Sequence, residues 1–323
     1  MKDKQPILSI CIPTYNRAEI LRDTLEQYTS CEEFDDDVEI VISDNASPDH
    51  TQDVCAEFTT KYKNVRYFRN AQNVRDENFI IVQNYAKGLY IKLMNDNIYM
   101  PNEALRNMKN EIRLYKENRI PIFFVTGPIF QRMQTHEYTC KSMDEYVQQV
   151  SMYVTAISCF GAWKTDWDAI TNKQEYSKLL LSQVDWSYQI VVHRGQCKLI
   201  YLEPYWLLSK DANNKFSQSY NFFQIHLANY TTIKQIYVEK GLITKQTMRR
   251  DGHVFLNHYR KKIWAVLFGK RNDVFDYTDS MKILKKYFST DPYFYWYMIS
   301  FPLWYAGDLM RRAMNKCIRI WRK

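Results

Sequence analysis

The sequence predicts an α/β protein: a mostly parallel sheet flanked by helices, followed by a helical C-terminal extension. Three observations predict it. Short apolar runs alternate with amphipathic helical stretches from Ile7 to about residue 125. Polar residues suited to turns and ligands follow three of those runs directly. Beyond residue 225 the alternation is gone, and basic and aromatic residues mingle at helical spacing.

Ile7 to Ile12 is an apolar run ended by Pro13, the pattern of a buried strand. From Arg17 to Tyr28, Ile20, Leu21, Leu25 and Tyr28 recur with helical period, and Asn16 is placed to cap that helix. Val38–Ile42 is the second strand and runs into Ser43-Asp44-Asn45-Ala46-Ser47-Pro48. A helix over Thr51–Tyr62, a strand at Val65–Phe68 and a helix over Glu77–Ala86 follow. Tyr90–Met94 reads as a strand, Pro101 to about Glu117 as a helix, and Ile122–Val125 as one more strand. Such alternation implies βαβ units, whose ligands bind beyond the C-terminal ends of the strands.

The composition is that of a globular protein, with 46% hydrophobic and 25% charged residues. Aromatics are abundant (25 Tyr, 17 Phe, 8 Trp against 8 Gly), which suits sugar sites and membrane interfaces as well as ordinary cores. A formal charge of +8 favours anionic partners without choosing among them. The seven cysteines form no CxxC pair, so neither a zinc site nor a disulfide framework is indicated. No HExxH, GxGxxG or nucleic-acid-binding motif is present. The N-terminus carries no apolar signal segment, so a reducing cytosol is the simplest expected compartment.

Chemistry concentrates at three predicted strand ends. These are Pro13-Thr14-Tyr15-Asn16-Arg17, Asp44, and Asn95-Asp96-Asn97. Singly, each acid or amide is a plausible helix cap or turn former. Three in register at one sheet edge instead suit a nucleotide diphosphate, with Asp96 and its flanking amides offering oxygen ligands to Mg²⁺ or Mn²⁺.

The run Leu8-Ser-Ile-Cys-Ile-Pro-Thr-Tyr-Asn-Arg17 resembles the opening strand and loop of glycosyltransferase family 2, inverting enzymes of the GT-A fold. Ile40-Val-Ile-Ser-Asp-Asn-Ala-Ser47 is similar to its second-strand signature. Asn73, Asn78 and Ala86-Lys-Gly-Leu-Tyr-Ile91 resemble its Asn-rich segment and the entry to its metal strand. Asn95-Asp96-Asn97-Ile98-Tyr99-Met100-Pro101 falls where the family has its Asp-x-Asp motif, and looks like spore-coat polysaccharide transferases. The resemblance covers residues 7–110 well and is thinner beyond.

The resemblance implies roles. Pro13, Thr14, Tyr15, Arg17, Asp44, Asn73 and Asn95 would bind the nucleotide, with Asp44 accepting a hydrogen bond from its base. Asp96 would hold Mn²⁺ or Mg²⁺ at the diphosphate, although Asn95 replaces a common second acid, so cationic side chains are an alternative stabiliser. Asp185, in Gln183-Val184-Asp185-Trp186, stands where the family has an acidic pair and would be the general base; Val184 replaces the first acid, and helix capping is the plain alternative. Gly161, Trp163 and Trp186 would meet the acceptor sugar, or simply pack. His226 is a minor candidate for the diphosphate, and Asp166 and Asp168 read as helix-start acids.

The divisions expected are 1–125 for the nucleotide-sugar half, 126–225 for the acceptor half and 226–323 for the helical region. The expected activity is transfer from a nucleotide sugar, UDP being the family's commonest nucleotide, to a glycan acceptor in cell-surface polysaccharide synthesis. A non-catalytic nucleotide-sugar or glycan-binding module is the alternative, motivated by the missing acids at Asn95 and Val184. Residues 292–307 carry no charge, are too short for a membrane span, contain Pro302 and precede Arg311, Arg312, Lys316, Arg319, Arg322 and Lys323. With a second basic-aromatic patch from Tyr259 to Trp264 and at Lys270-Arg271, they predict a peripheral contact with an anionic membrane on its cytoplasmic face, where a lipid-linked acceptor would lie. A core-facing helical hairpin is the competing reading.

Overall fold

The computed structural model describes residues 4–126, 136–202, 207–208, 220–268 and 275–321. The first half runs β1 (Leu8–Thr14), α1 (Ala18–Thr29), β2 (Val38–Asp44), α2 (Thr51–Lys61), β3 (Val65–Arg69), α3 (Glu77–Asn84), β4 (Tyr90–Leu93), β5 (Ile98–Tyr99), α4 (Asn102–Tyr115) and β6 (Ile122–Val125). Then come β7 (Glu137–Cys140), α5 (Met143–Val150), β8 (Gly161–Trp163), α6 (Lys164–Ala169), α7 (Ser182–Arg194), β9 (Cys197–Tyr201) and β10 (Leu207–Leu208). A π-helical turn at Gln224–Asn229 leads into α8 (Tyr230–Glu239), α9 (Lys245–His258), α10 (Arg260–Leu267), α11 (Ser280–Phe288) and α12 (Pro292–Trp321).

The main sheet has the order β3-β2-β1-β4-β8, parallel except for β8, which pairs antiparallel with β4. Every residue of β1 and β2 is buried, because helices cover both faces of these central strands. One face packs on α1 and α4 through Leu21, Leu25, Leu105 and Met108. The other face joins a cluster running from Cys11 and Val41 to Ile233, Tyr237, Phe255 and Tyr297, so the C-terminal helices share a core with the sheet.

Some expectations change. Ile122–Val125 does form a strand, but β6 pairs with β9 in a separate three-stranded sheet, β6-β9-β7, instead of extending the main one. The change of pattern at residue 125 is therefore not a gap in packing. Asn16 does not cap α1: its φ of 55° is left-handed and its amide donates to Ser47 Oγ. The amide of Ala18 is satisfied instead by Asp49 Oδ2, 3.0 Å away. Pro302 lies within the continuous helix α12 and does not end it.

Candidate active site

Parallel pairing aligns the strand ends. Thr14 stands opposite Asp44 across β1 and β2, and the amide of Met94 donates to the carbonyl of Cys11, so the loops after β1, β2 and β4 leave from one edge. They surround a cleft of about 840 Å³. Pro13, Thr14, Tyr15, Arg17, Asn73, Asn95 and Asp96 all line it. Asn45, Asp49, Arg75 and Asp76 line it too, and sequence reasoning had not singled them out.

At the floor of the cleft Arg17 donates to Asp96 Oδ1 at 2.8 Å and Thr14 Oγ1 donates to Oδ2 at 2.9 Å. Thr24 of α1 holds the backbone carbonyl of Asp96 at 2.7 Å, which fixes the carboxylate relative to the first loop. Burial pushes the Asp96 carboxyl up from its ordinary value, against the opposing pull of Arg17 and Thr14. This is a poor fit to a resident divalent ion. Such an ion needs several free anionic oxygens; Asp96 supplies one carboxylate, and both its oxygens are already engaged. No group of three or more His, Cys, Asp or Glu side chains suited to a metal occurs among the described residues. Arg17 already gives Asp96 the positive partner that the expected Mn²⁺ or Mg²⁺ would have been.

Asp44 does not line the cleft. It is fully buried, Oδ1 accepts from the Ser47 amide, and Oδ2 accepts from Tyr67 and from Arg69 at 2.5 Å. Its place is therefore behind the wall, shaping the β2–α2 turn, while its neighbour Asn45 faces the cleft. The Asn-rich segment forms a web beside it. Asn45 donates to Asn73 and accepts from the Val74 amide and from Asn70, and Asn78 exchanges hydrogen bonds with Ser43.

A smaller cavity of about 240 Å³ adjoins the cleft. Phe79, Trp186 and Tyr220 supply aromatic wall, and Thr155, Gln183 and His226 supply polar atoms. Asp76 and Phe79 line both spaces. Thr155 and His226 face each other at 3.3 Å, and burial pushes the imidazole down to about 4.

Asp185 lines neither space. It sits in the first turn of α7 but does not cap it, the N-cap being Leu181. Tyr237 donates to its Oδ1 at 2.7 Å and Gln189 to its Oδ2 at 2.6 Å, and burial pushes its carboxyl up. Helical rotation turns Gln183 and Trp186 of the same helix to the cavity and Asp185 to α8.

Of the expected acceptor residues only Trp186 reaches a cavity wall. Trp163 is buried, donates to the carbonyl of Ile120 and packs edge-on against Tyr90. A Cβ on Gly161 would come within 2.6 Å of the Tyr90 hydroxyl, so packing is what requires that glycine. Asp166 and Asp168 pair with Arg194 and Lys164, as helix-start acids do.

Residues 9–160 match the family profile described as glycosyl transferase family 2. Over this region the chain is similar to glycosyltransferase family 2. Across 86 residues it is 41% identical to abequosyltransferase RfbV of Salmonella typhimurium, which is 26% of each chain. The structure of TarS from S. aureus is similar with a TM-score of 0.53 at 11% identity, over 78% of this chain and 43% of that one. That likeness shows the GT-A fold. The chain thus spans about a quarter of the length of its curated relative and less than half that of TarS.

Proposed function

We propose that this chain is an inverting glycosyltransferase of family 2 that moves a sugar from a nucleotide sugar to a glycan acceptor. The observation that carries the reading is the cleft bounded by Pro13–Arg17, Asn45, Asn73 and Asn95–Asp96, where the loops after β1, β2 and β4 converge. Similarity to a protein named as an abequosyltransferase supports sugar transfer as the chemistry. UDP is the nucleotide the family resemblance favours.

Inverting displacement leaves negative charge on the departing diphosphate, so the site needs fixed cationic donors there. Arg17, oriented by Asp96, and Arg75 on the facing loop fit that need within the cleft. The motif nominates Asp185 as base; to serve, it must exchange Tyr237 and Gln189 for an acceptor hydroxyl.

The C-terminal helix supports a membrane-facing acceptor. Phe294, Tyr297 and Asp308 face the core, whereas Trp296, Ile299, Leu303, Met310 and Met314 form an exposed apolar stripe. No helix among the described residues is long and apolar enough to cross a membrane. A stripe of this kind beside Arg311 fits a helix lying in the interface of an anionic bilayer on the cytoplasmic face, near a lipid-linked glycan in surface polysaccharide synthesis. Two residues of the expected second patch are taken up by packing, while Lys261 stays exposed. Arg260 is buried against Tyr297 and Trp304, and Trp264 stacks on Phe301, so these two side chains pack between α10 and α12. Lys270, Arg271, Arg322 and Lys323 lie outside the described residues.

Calorimetric titration with UDP-, GDP-, CDP- and dTDP-sugars, paired with turnover of each, tests the reading. Binding and turnover of one donor are expected. Binding with no turnover on any glycan lipid would favour the non-catalytic module.

A further inference from the structure

The cleft holds four carboxylates on its lining, and three are already engaged by protein. Asp96 is held by Arg17 and Thr14, Asp49 by Thr51 and the amide of Ala18, and Glu19 by His50. The fourth is Asp76. It occupies the N-cap position of α3, where an aspartate side chain ordinarily accepts an amide of the first turn, yet it makes no such bond. The side chain is thus free of its usual local task, and it stands on the seam between the large cleft and the smaller cavity.

The chain around Asp76 is built to hold it there. Arg75 has a left-handed φ of 53°, a strained state for a residue with a Cβ. That state is fixed because Asn73 Oδ1 accepts the Arg75 amide at 2.8 Å, while Asn45 holds Val74 from one side and Asn73 from the other. Two residues on, Asn78 is buried and bonded to Ser43 of β2. The web therefore anchors Asp76 from both directions.

We propose that Asp76 is the group that takes the proton from the acceptor hydroxyl, and that the smaller cavity behind it seats the acceptor saccharide. The inference rests on the transferase reading of the cleft and assigns a base within it. A saccharide presents C–H faces and hydroxyl edges, which match the aromatic wall of Phe79, Trp186 and Tyr220 and the polar atoms of Thr155, Gln183 and His226. As the acceptor oxygen bonds to the anomeric carbon, its proton passes to the Asp76 carboxylate. The bond from the anomeric carbon to the phosphate oxygen breaks, and its electron pair leaves with the nucleoside diphosphate. Burial pushes the Asp76 carboxyl above its ordinary value, only partly offset by Arg75, which makes the carboxylate a stronger base than one in water. Asp185, bonded to Tyr237 and Gln189 and off both spaces, then acts as a brace between α7 and α8.

The test uses the full chain, the donor panel above with acceptor-free hydrolysis and transfer as readouts, and thermal shift with the matching nucleoside diphosphate. Asp76→Asn is expected to lower turnover by about 100-fold or more while the shift is kept. Asp76→Glu should recover part of the rate, and the acid limb of the rate profile should disappear in the Asn variant. Asp185→Asn should lower the melting temperature by loosening α7 from α8, and its turnover, read on folded protein, is the arm that separates the two carboxylates. Normal turnover in Asp76→Asn overturns the assignment, as does loss of the nucleotide shift in step with the rate. Collapse of turnover in folded Asp185→Asn alone returns the base to Asp185. A native chain that neither binds nor turns over any donor sinks the transferase reading itself, a result distinct from all of these.

Discussion

Arg17 and Asp96 are joined by a 2.8 Å ion pair across the loops that follow β1 and β4, and the carboxylate is almost wholly shielded from water. A buried carboxylate that loses its partner is left uncompensated, which costs far more than breaking a surface pair. Arg17→Ala is therefore expected to reduce both donor affinity and melting temperature. Arg17→Lys keeps the charge but not the planar fork, and should recover stability better than turnover. Donor titration and thermal melts on the two variants check this; equal turnover in all three proteins would remove Arg17 from the diphosphate site.

Because that guanidinium already neutralises Asp96, chelation should cost little. Turnover after dialysis against EDTA is expected to stay within about threefold of the untreated rate, since no protein cage needs refilling. A complete loss that added Mn²⁺ restores would show that the ion arrives with the donor and displaces Arg17.

Gly161→Ala isolates packing from recognition. The new Cβ meets Tyr90 Oη at 2.6 Å and the backbone oxygen of Ile91 at 3.0 Å. A destabilisation of roughly 1–3 kcal/mol is expected, read in urea melts, with acceptor KM unchanged. A raised acceptor KM at full stability would place the glycine at the sugar after all.

His226 makes stability depend on pH. The unfolded chain protonates this imidazole near pH 6.5, whereas burial, with Lys262 adding to it, holds the folded form to about 4. Stability is thus complete above about pH 6.5 and declines as pH falls toward 4, by at most about 3 kcal/mol. Chemical melts at pH 7 and pH 5 should show that decline in the native chain and less of it in His226→Gln.

Ile299 and Leu303 are 80% and 81% exposed on α12, so charged residues there disturb no core contact. Ile299→Glu with Leu303→Glu should abolish flotation with vesicles containing phosphatidylglycerol and leave the melting temperature and donor binding intact. Unchanged flotation would remove α12 from the membrane contact.

The sequence by itself determined most elements up to residue 125 and the loops between them. Period-two and helical patterns, together with Pro13, Asn95 and Asp96 after buried strands, are properties of neighbouring residues, so they are legible without a structure. What each polar side chain faces is different in kind. Asp185 turns to Tyr237 and Asp44 to Arg69, partners set by how helices and strands pack across the chain. Trp163 is likewise claimed by Ile120 and Tyr90. Asp76 had no motif to mark it, and the Asn web that presents it closes only when the loop after β2 meets the segment before α3. A carboxylate is free for chemistry only where no nearer donor claims it, and the tertiary structure decides which donors are near.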